Sequence, residues 1–338
     1  MLDLSLMHQW SIATAFTTSN RPAIQQLWRI DVPALAIYHP FLMHALLAVS
    51  AMHLYCIDAD PTKRNCYLST ASRHHERAVR GIAACLTNIS RENCDALFVT
   101  SCMVVIFSFL APRINEPSLG YGHSPGHIAP WIPLLRGVKS ILQQGHDWVM
   151  TGPLSPLLKQ YKVSQTEDPD PETERVLQSL YRLCTDRSLP GSSELSDTGV
   201  STAYFSAIAE LTQSFTTISK WDSILGDIFS WPISLADRFV ELLVECRPRA
   251  LVIFMHYCSL FTLFEDLWWV NGSALFEMRK CEPYLSEEWA PWIEWPRQRI
   301  LAGDAGIPGG MQPGRGVSPV KAAQGQTPPS IMTPPPPL

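Results

Sequence analysis

Residues Ala250–Phe264, with the sequence ALVIFMHYCSLFTLF, contain no Asp, Glu, Lys or Arg. A second run, Ala96–Pro112 with the sequence ALFVTSCMVVIFSFLAP, is also free of charged residues. Continuous apolar runs of this length predict helices that are buried on every side. Both runs are shorter than the roughly 20 apolar residues that cross a bilayer, and both contain Ser and Thr. We therefore predict two core helices and no membrane span.

Helical patterns flank these two runs. In Pro40–Met52 the proline suits a first helical position, and apolar residues then recur at helical spacing. Asp60–Ile89 has one apolar face with most of its basic residues off that face, and Pro133–Leu142 precedes Gly145, which we expect to end that helix. Strand patterns are weak throughout, so the sequence predicts an all-α fold. Further helices are predicted over 172–186, 203–219, 234–246, 248–264 and 266–281.

The end of the chain differs in composition from the rest. Residues 303–338 contain 7 Gly and 9 Pro and finish with four consecutive prolines before Leu338. Such a segment cannot bury enough apolar surface to offset the entropy lost on ordering. We predict one multi-helix regulatory domain over residues 1–302, followed by a disordered Gly/Pro-rich tail over 303–338.

Composition and charge limit the functions that this chain can carry alone. Of its 338 residues 46% are hydrophobic and 17% are charged, which suffices for one large core or two modest ones. The formal net charge is −5, from 26 Lys and Arg against 31 Asp and Glu, and no basic run stands out. Autonomous nucleic-acid binding needs a clustered positive surface. We therefore do not expect the chain to bind DNA by itself.

The nine cysteines predict reduced thiols of an intracellular protein, because they are odd in number, scattered and mostly in apolar stretches. None of them forms a Cys-x-x-Cys pair, so no structural zinc site is expected. The N-terminus lacks a cationic segment and a cleavage site, so no signal peptide is expected. The cysteines are Cys56, Cys66, Cys85, Cys94, Cys102, Cys184, Cys246, Cys258 and Cys281.

Two short motifs resemble catalytic patterns. Gly122–Gly126, with the sequence GHSPG, matches the Gly-x-Ser-x-Gly nucleophile elbow of hydrolases. In that elbow the residue after the serine donates its backbone N–H to the oxyanion, and Pro125 has no N–H to donate. The acidic run Glu167–Asp170 is interrupted by proline, so a solvated loop is expected there and not a magnesium–diphosphate site. We assign no catalytic residue.

Two pairs of histidines are further candidate metal ligands. His74 and His75 point about 100° apart on a helix, so they cannot share an ion unless a second element adds ligands. His123 and His127 have no nearby cysteine or carboxylate to complete a ligand set. We predict no metal site in this chain, and the sequence identifies no cofactor-binding residue.

Tryptophans are concentrated near the end of the helical region. Trp268 and Trp269 are adjacent, and Trp289, Trp292 and Trp295 follow at a spacing of three. Rings at this spacing lie along one side of a short segment and can seal an apolar interior. We expect them to close the core. The alternatives are one wall of an apolar ligand pocket and a protein-contact patch.

Several segments spread over roughly residues 1–301 together resemble the sequence of a known protein family. They are Leu4–Trp10, Leu27–Trp28, Val32–Ala36, His39–Leu54, Tyr67–Arg80, Trp131–Val138, Gly152–Leu154, His256–Tyr257, Trp268–Trp269 and Trp292–Pro296. Together they resemble the C-terminal regulatory domain of fungal six-cysteine zinc-cluster transcription factors. The match is to the group that includes the sterol uptake control protein.

The resemblance implies a ligand-sensing regulatory domain of a nuclear transcription regulator. In sterol-responsive members this domain binds a sterol in an apolar pocket. A sterol or lipid-like effector, protein partners among the transcription machinery or family members, and control of sterol, lipid or secondary-metabolite genes are therefore implied. The zinc-cluster module of the family has no counterpart in this chain, so zinc and DNA contact are expected only through that missing module.

We hypothesise that the two uncharged helices form the centre of the bundle and that an apolar metabolite binds beside them, shifting the population between two packings. Two alternatives stay open at this point. One is a finger-less corepressor that acts through intact family members. The other is a helical enzyme acting on an apolar metabolite, which would need converging acid and base groups that the sequence does not supply.

Overall fold

The computed structural model describes residues 1–19, 21–115, 128–158, 170–218 and 225–305. Regular structure within those ranges is helical, and no strand occurs there. The predicted all-α fold is therefore confirmed. The last helix continues to Ala305, past the predicted start of the tail at 303. The remainder of that predicted tail, 306–338, lies outside the described residues.

The described ranges contain α-helices that are numbered here in chain order. They are α1 (Leu2–Ile12), α2 (Pro22–Gln26), α3 (Val32–Ala36), α4 (Pro40–Ile57), α5 (Pro61–Cys85), α6 (Cys94–Asn115), α7 (Ile132–Thr151), α8 (Ser155–Leu158), α9 (Pro171–Leu180), α10 (Thr198–Ile218), α11 (Leu225–Ser234), α12 (Asp237–Val244), α13 (Pro248–Cys258), α14 (Ser273–Cys281) and α15 (Ala290–Ala305). A π-helical turn, Leu27–Asp31, joins α2 to α3.

Helices α4 and α5 form an antiparallel hairpin. Each begins with a proline at its first position. A backbone N–H at that position would have no acceptor within the helix, so its absence in proline costs no hydrogen bond. The Asp60 carboxylate accepts a hydrogen bond from the backbone N–H of Thr62 at 2.9 Å and so caps α5. The start of α4 meets the end of α5 at Gly81, where a Cβ would lie 2.5 Å from the Cβ of Phe41. Glycine at this position lets the two helices touch.

Helix α6 is longer than the uncharged run that predicted it, because it begins at Cys94 and continues past Arg113. By length and composition alone, α4 and residues Cys94–Ile114 of α6 could each cross a membrane. Inside the protein, 56% of the α4 segment and 72% of the α6 segment are buried. Helix α6 packs against α4, α5 and α7. Burial against other helices is the pattern of core helices.

Two predicted helix boundaries are wrong, and each lies at or near a glycine. Gly145 does not end a helix, because α7 continues to Thr151. A Cβ on Gly145 would lie 2.0 Å from the Sγ of Cys94, so the glycine permits close contact between α6 and α7. Gly272 has a left-handed φ of +74°, and α14 begins only after it, at Ser273. The predicted helix over 266–281 is therefore wrong in its first turns.

Helix α13 is enclosed by other helices on every side. Every residue from Arg249 to Cys258 is buried. The helix packs against α10, α12, α14 and α15, so its whole circumference meets protein. The prediction that Ala250–Phe264 is a core segment is thus confirmed except at Thr262, which is partly buried, and Leu263, which is 48% exposed. Ser259–Phe264 forms tighter 3-10 turns.

Arg249 brings a charge into this core. Its guanidinium donates hydrogen bonds to three backbone carbonyls and one carboxylate. These acceptors belong to Leu183, Asp186, Pro190 and Glu194, the last at 2.8 Å. Because a buried charge without partners costs several kcal/mol, this set of bonds fixes residues 181–196 against the start of α13.

Replacing His256 with glutamine is expected to make the fold less sensitive to acid. Burial lowers the pKa of His256 to about 4, whereas the pKa of an unfolded histidine is about 6.5. The unfolded chain therefore takes up a proton that the folded chain does not. The free energy of unfolding falls as the pH drops below about 6.5, and His256 contributes about 2 kcal/mol of the loss between pH 7.5 and pH 5. Urea denaturation at both pH values measures this difference.

The matched control is His8→Gln, because His8 lies exposed on α1. That variant should lose as much stability between the two pH values as the unmodified protein. An equal acid loss in the His256→Gln variant and in the unmodified protein would contradict the assignment.

Candidate functional site

A cluster of seven buried aromatic side chains fills the space between α6 and α13. Its members are Phe109, Trp131, Phe229, Phe254, Tyr257, Phe261 and Trp269. The ring centroid of Trp131 lies 5.2–6.4 Å from those of five other members. The neighbouring Trp268 points elsewhere and stacks on His53 of α4 at 4.8 Å. The predicted centre is therefore occupied by side chains, and an effector beside these helices would have to displace rings.

Two charged side chains border the aromatic cluster, Glu277, which is buried, and Arg113, which is partly buried. Glu277 accepts a hydrogen bond from the indole N–H of Trp131 at 3.1 Å and pairs with Lys280 at 3.4 Å. Arg113, at the end of α6, donates to the backbone carbonyls of Trp269 and Asn271. Burial lowers the pKa of Arg113 to about 10, so it stays charged at neutral pH. Arg113 thereby positions the 269–273 turn beside the cluster.

The C-terminal tryptophans close the core over α13. Trp289 is fully buried, and the guanidinium of Arg249 lies 5.5 Å from its ring centroid. The ring of Trp295 stacks on His256 at a centroid distance of 5.7 Å. Trp292 is partly buried and packs on the same core. Among the three interpretations of this segment, the geometry supports core closure.

The side chains of His74 and His75 have different neighbours in the fold. The ring of His75 stacks on Phe107 with centroids 3.8 Å apart. The Nδ1 atom of His74 lies 2.9 Å from Nδ1 of His44, and its Nε2 lies 3.4 Å from the Asp3 carboxylate. Across the described ranges, no group of three or more His, Cys, Asp or Glu is arranged to hold a metal ion.

Several other sequence candidates fall on positions that carry no structural description. The GHSPG motif, His123, His127 and residues 167–169 lie outside the described residues. Asp170 is described, and its carboxylate accepts hydrogen bonds from the backbone N–H groups of Glu172 and Thr173, both at 3.0 Å. The end of the predicted acidic loop is therefore the N-cap of α9.

A groove opens at one end of the α4–α5 hairpin, and we call it the α4–α5 groove. Its volume is about 430 Å³, which lies within the roughly 300–1,000 Å³ of small-molecule sites. The first turns of α4 and the last turns of α5 form its walls. The lining residues are Pro40, Phe41, His44, Arg77, Arg80, Gly81 and Cys85.

The rim of the α4–α5 groove is basic. Arg80 pairs with Glu76 at 2.8 Å, four residues away on the same helix. Arg77 has no ion-pair partner among the residues that the structure describes. Burial lowers the pKa of His44, and the nearby His74 and Arg77 lower it further, so His44 is mostly neutral at pH 7. The groove therefore combines an apolar wall with an unpaired guanidinium.

Sequence reasoning did not find this groove. The helical pattern placed Arg77 and Arg80 off the apolar face of α5 and gave them no role. The available signal was Gly81, because an isolated glycine within a helical pattern indicates a close approach of another segment. Which segment approaches depends on tertiary packing, and the pattern of α5 does not contain that information.

Comparisons with known proteins agree with the sequence resemblance. Residues 6–147 match the fungal specific transcription factor domain, and this range includes both walls of the α4–α5 groove. A Zn(2)-C6 fungal-type transcription factor of Gibberella zeae is 23% identical over 335 residues, covering 91% of this chain and 63% of that protein. The predicted resemblance to zinc-cluster transcription factors is thereby confirmed.

Two relatives named sterol uptake control protein 2 are also similar to this chain. The Candida albicans protein is 27% identical over 292 residues, which cover 80% of this chain and 39% of that protein. The Saccharomyces cerevisiae protein is 28% identical over 290 residues, which cover 80% of this chain and 29% of that protein. The chain thus spans between 29% and 63% of the length of these three curated relatives.

Replacing Gly81 with alanine is expected to destabilise the protein by roughly 1–3 kcal/mol, because the new methyl group overlaps Phe41 and forces α4 away from α5. The matched control is Gly137→Ala on α7, where a Cβ meets nothing within 4 Å. That variant should be stabilised by up to about 1 kcal/mol through helix propensity. Chemical denaturation measures both values. A stabilised Gly81→Ala variant would mean that the two helices do not touch at this point.

Proposed function

We propose that this chain is the regulatory part of a fungal transcription regulator. The observation that carries the proposal is the similarity to a Zn(2)-C6 fungal-type transcription factor across 91% of this chain. The match to the fungal specific transcription factor domain supports it for residues 6–147. The net charge of −5 suits a regulatory part that does not itself hold DNA.

The remaining parts of the proposal follow from this role. DNA contact and zinc belong to a zinc-cluster module, and the chain acts in the nucleus. Its protein partners are the transcription machinery or other regulators of the same family. Its chemistry is binding and not catalysis, which is consistent with the names of the relatives.

The proposal includes a sterol or lipid-like effector. Two relatives carry the name sterol uptake control protein 2, which supports genes of sterol or lipid metabolism as targets. A secondary-metabolite gene cluster is the second proposed class of target. The structure adds one constraint on the effector: the aromatic cluster fills the space beside α6 and α13, so binding there requires the rings to move.

A reporter experiment tests the regulatory role. The full chain, fused to an unrelated DNA-binding domain, is expected to change expression of a matching fungal reporter several-fold relative to that domain alone. The control variant is Val252→Asp, which places an unpaired carboxylate in the fully buried face of α13 and should unfold the core. Reporter expression and fusion abundance are measured together. The proposal fails if the intact fusion accumulates in the nucleus and reporter expression equals that of the DNA-binding domain alone.

A further inference from the structure

We propose that the α4–α5 groove binds a free long-chain carboxylate, whose head group pairs with Arg77 and whose hydrocarbon chain lies against Phe41. This inference goes beyond the proposed regulatory function and does not depend on it. It concerns a second site, on the surface of the hairpin and outside the aromatic cluster.

The charge of the groove selects an anion. Arg77 is exposed and has no ion-pair partner within the described part of the chain, whereas Arg80 already pairs with Glu76. A guanidinium presents paired N–H donors that match the two oxygens of a carboxylate. No acidic side chain lines the groove to compete for Arg77. A ligand with one carboxylate therefore matches the single unpaired guanidinium.

The apolar part of the groove selects a hydrocarbon chain. Phe41 and the ring of Pro40 form the α4 side, and on the α5 side the Cβ of Phe41 packs against the backbone of Gly81. The nearby Ile37 and Tyr38 are 71% and 79% exposed, so apolar surface continues along the chain that leads into α4. A small hydrophilic anion would leave this surface exposed to water. An apolar chain attached to the carboxylate would cover it.

The size of the groove favours a small molecule over a protein segment. A groove of about 430 Å³ is comparable to small-molecule sites. A stable protein interface buries about 800 Å² on each partner, which is much more than the seven lining residues supply. A neutral sterol would fit the apolar wall and gain nothing from Arg77, so the unpaired charge favours the carboxylate.

Binding of hexadecanoate to the purified full chain tests this site. Displacement of the fluorescent probe 11-(dansylamino)undecanoic acid reports the affinity. Arg77→Glu should weaken hexadecanoate binding at least tenfold, because it replaces attraction by repulsion at the head group. Lys63→Glu makes the same charge change at the opposite end of α5, about 20 Å away along the helix, and should leave binding unchanged. The neutral hexadecan-1-ol should compete poorly.

A second variant tests the apolar part independently. Cys85→Phe adds a large ring to the groove lining and should also weaken binding of hexadecanoate, without a change of charge. Circular dichroism verifies that both variants keep their helical content. Three results would overturn the proposal: equal affinity of Arg77→Glu and the unmodified protein, equal competition by hexadecan-1-ol, or binding to phosphatidylglycerol vesicles without binding of free hexadecanoate. Because purified protein is used, each of these results leaves the reporter test of the regulatory role unaffected.

Discussion

Helix α13 has apolar side chains around its whole circumference, and the rest of the fold excludes water from all of them. Burying one large apolar side chain contributes roughly 1.5–3 kcal/mol, and this helix buries each residue from Ala250 to Cys258. One partner helix covers only one face. Four helices, α10, α12, α14 and α15, therefore surround α13. The tryptophans of α15 and of the turn before it complete the enclosure.

Charges placed at the edges of this core determine the course of the connecting segments. Arg249 directly precedes the uncharged run and is itself buried, so its guanidinium must be satisfied by protein groups. Those groups are carbonyls of the 181–196 segment and the carboxylate of Glu194. Arg113, at the end of α6, likewise donates hydrogen bonds to backbone carbonyls of the 269–273 turn. Irregular segments thus obtain fixed positions from one buried cation, Arg249, and one partly buried cation, Arg113.

Periodicity and apolar runs predicted the fold class and the core helices, because both properties are local in sequence. Tertiary contacts decided the helix ends, the groove and the role of the tryptophans, which the patterns could not predict. Gly145 resembles a helix stop, yet it serves the contact between α6 and α7. The α4–α5 groove was not predicted, because Phe41 and Gly81, on its two walls, are about 40 residues apart in sequence and meet only in the folded chain. The tryptophan spacing was consistent with three roles, and the burial of Trp289 and the stacking of Trp295 on His256 distinguished core closure from the others.

The central claim is that α13 is the closed centre of the fold and that no part of it opens without global unfolding. Native-state hydrogen exchange of the backbone amides of Val252–Cys258 tests this claim most directly. We expect these amides to exchange with a free energy equal to that of global unfolding measured by denaturant. Exchange of the same amides through a local opening well below the global free energy would contradict it, and would indicate that the centre opens to admit an effector.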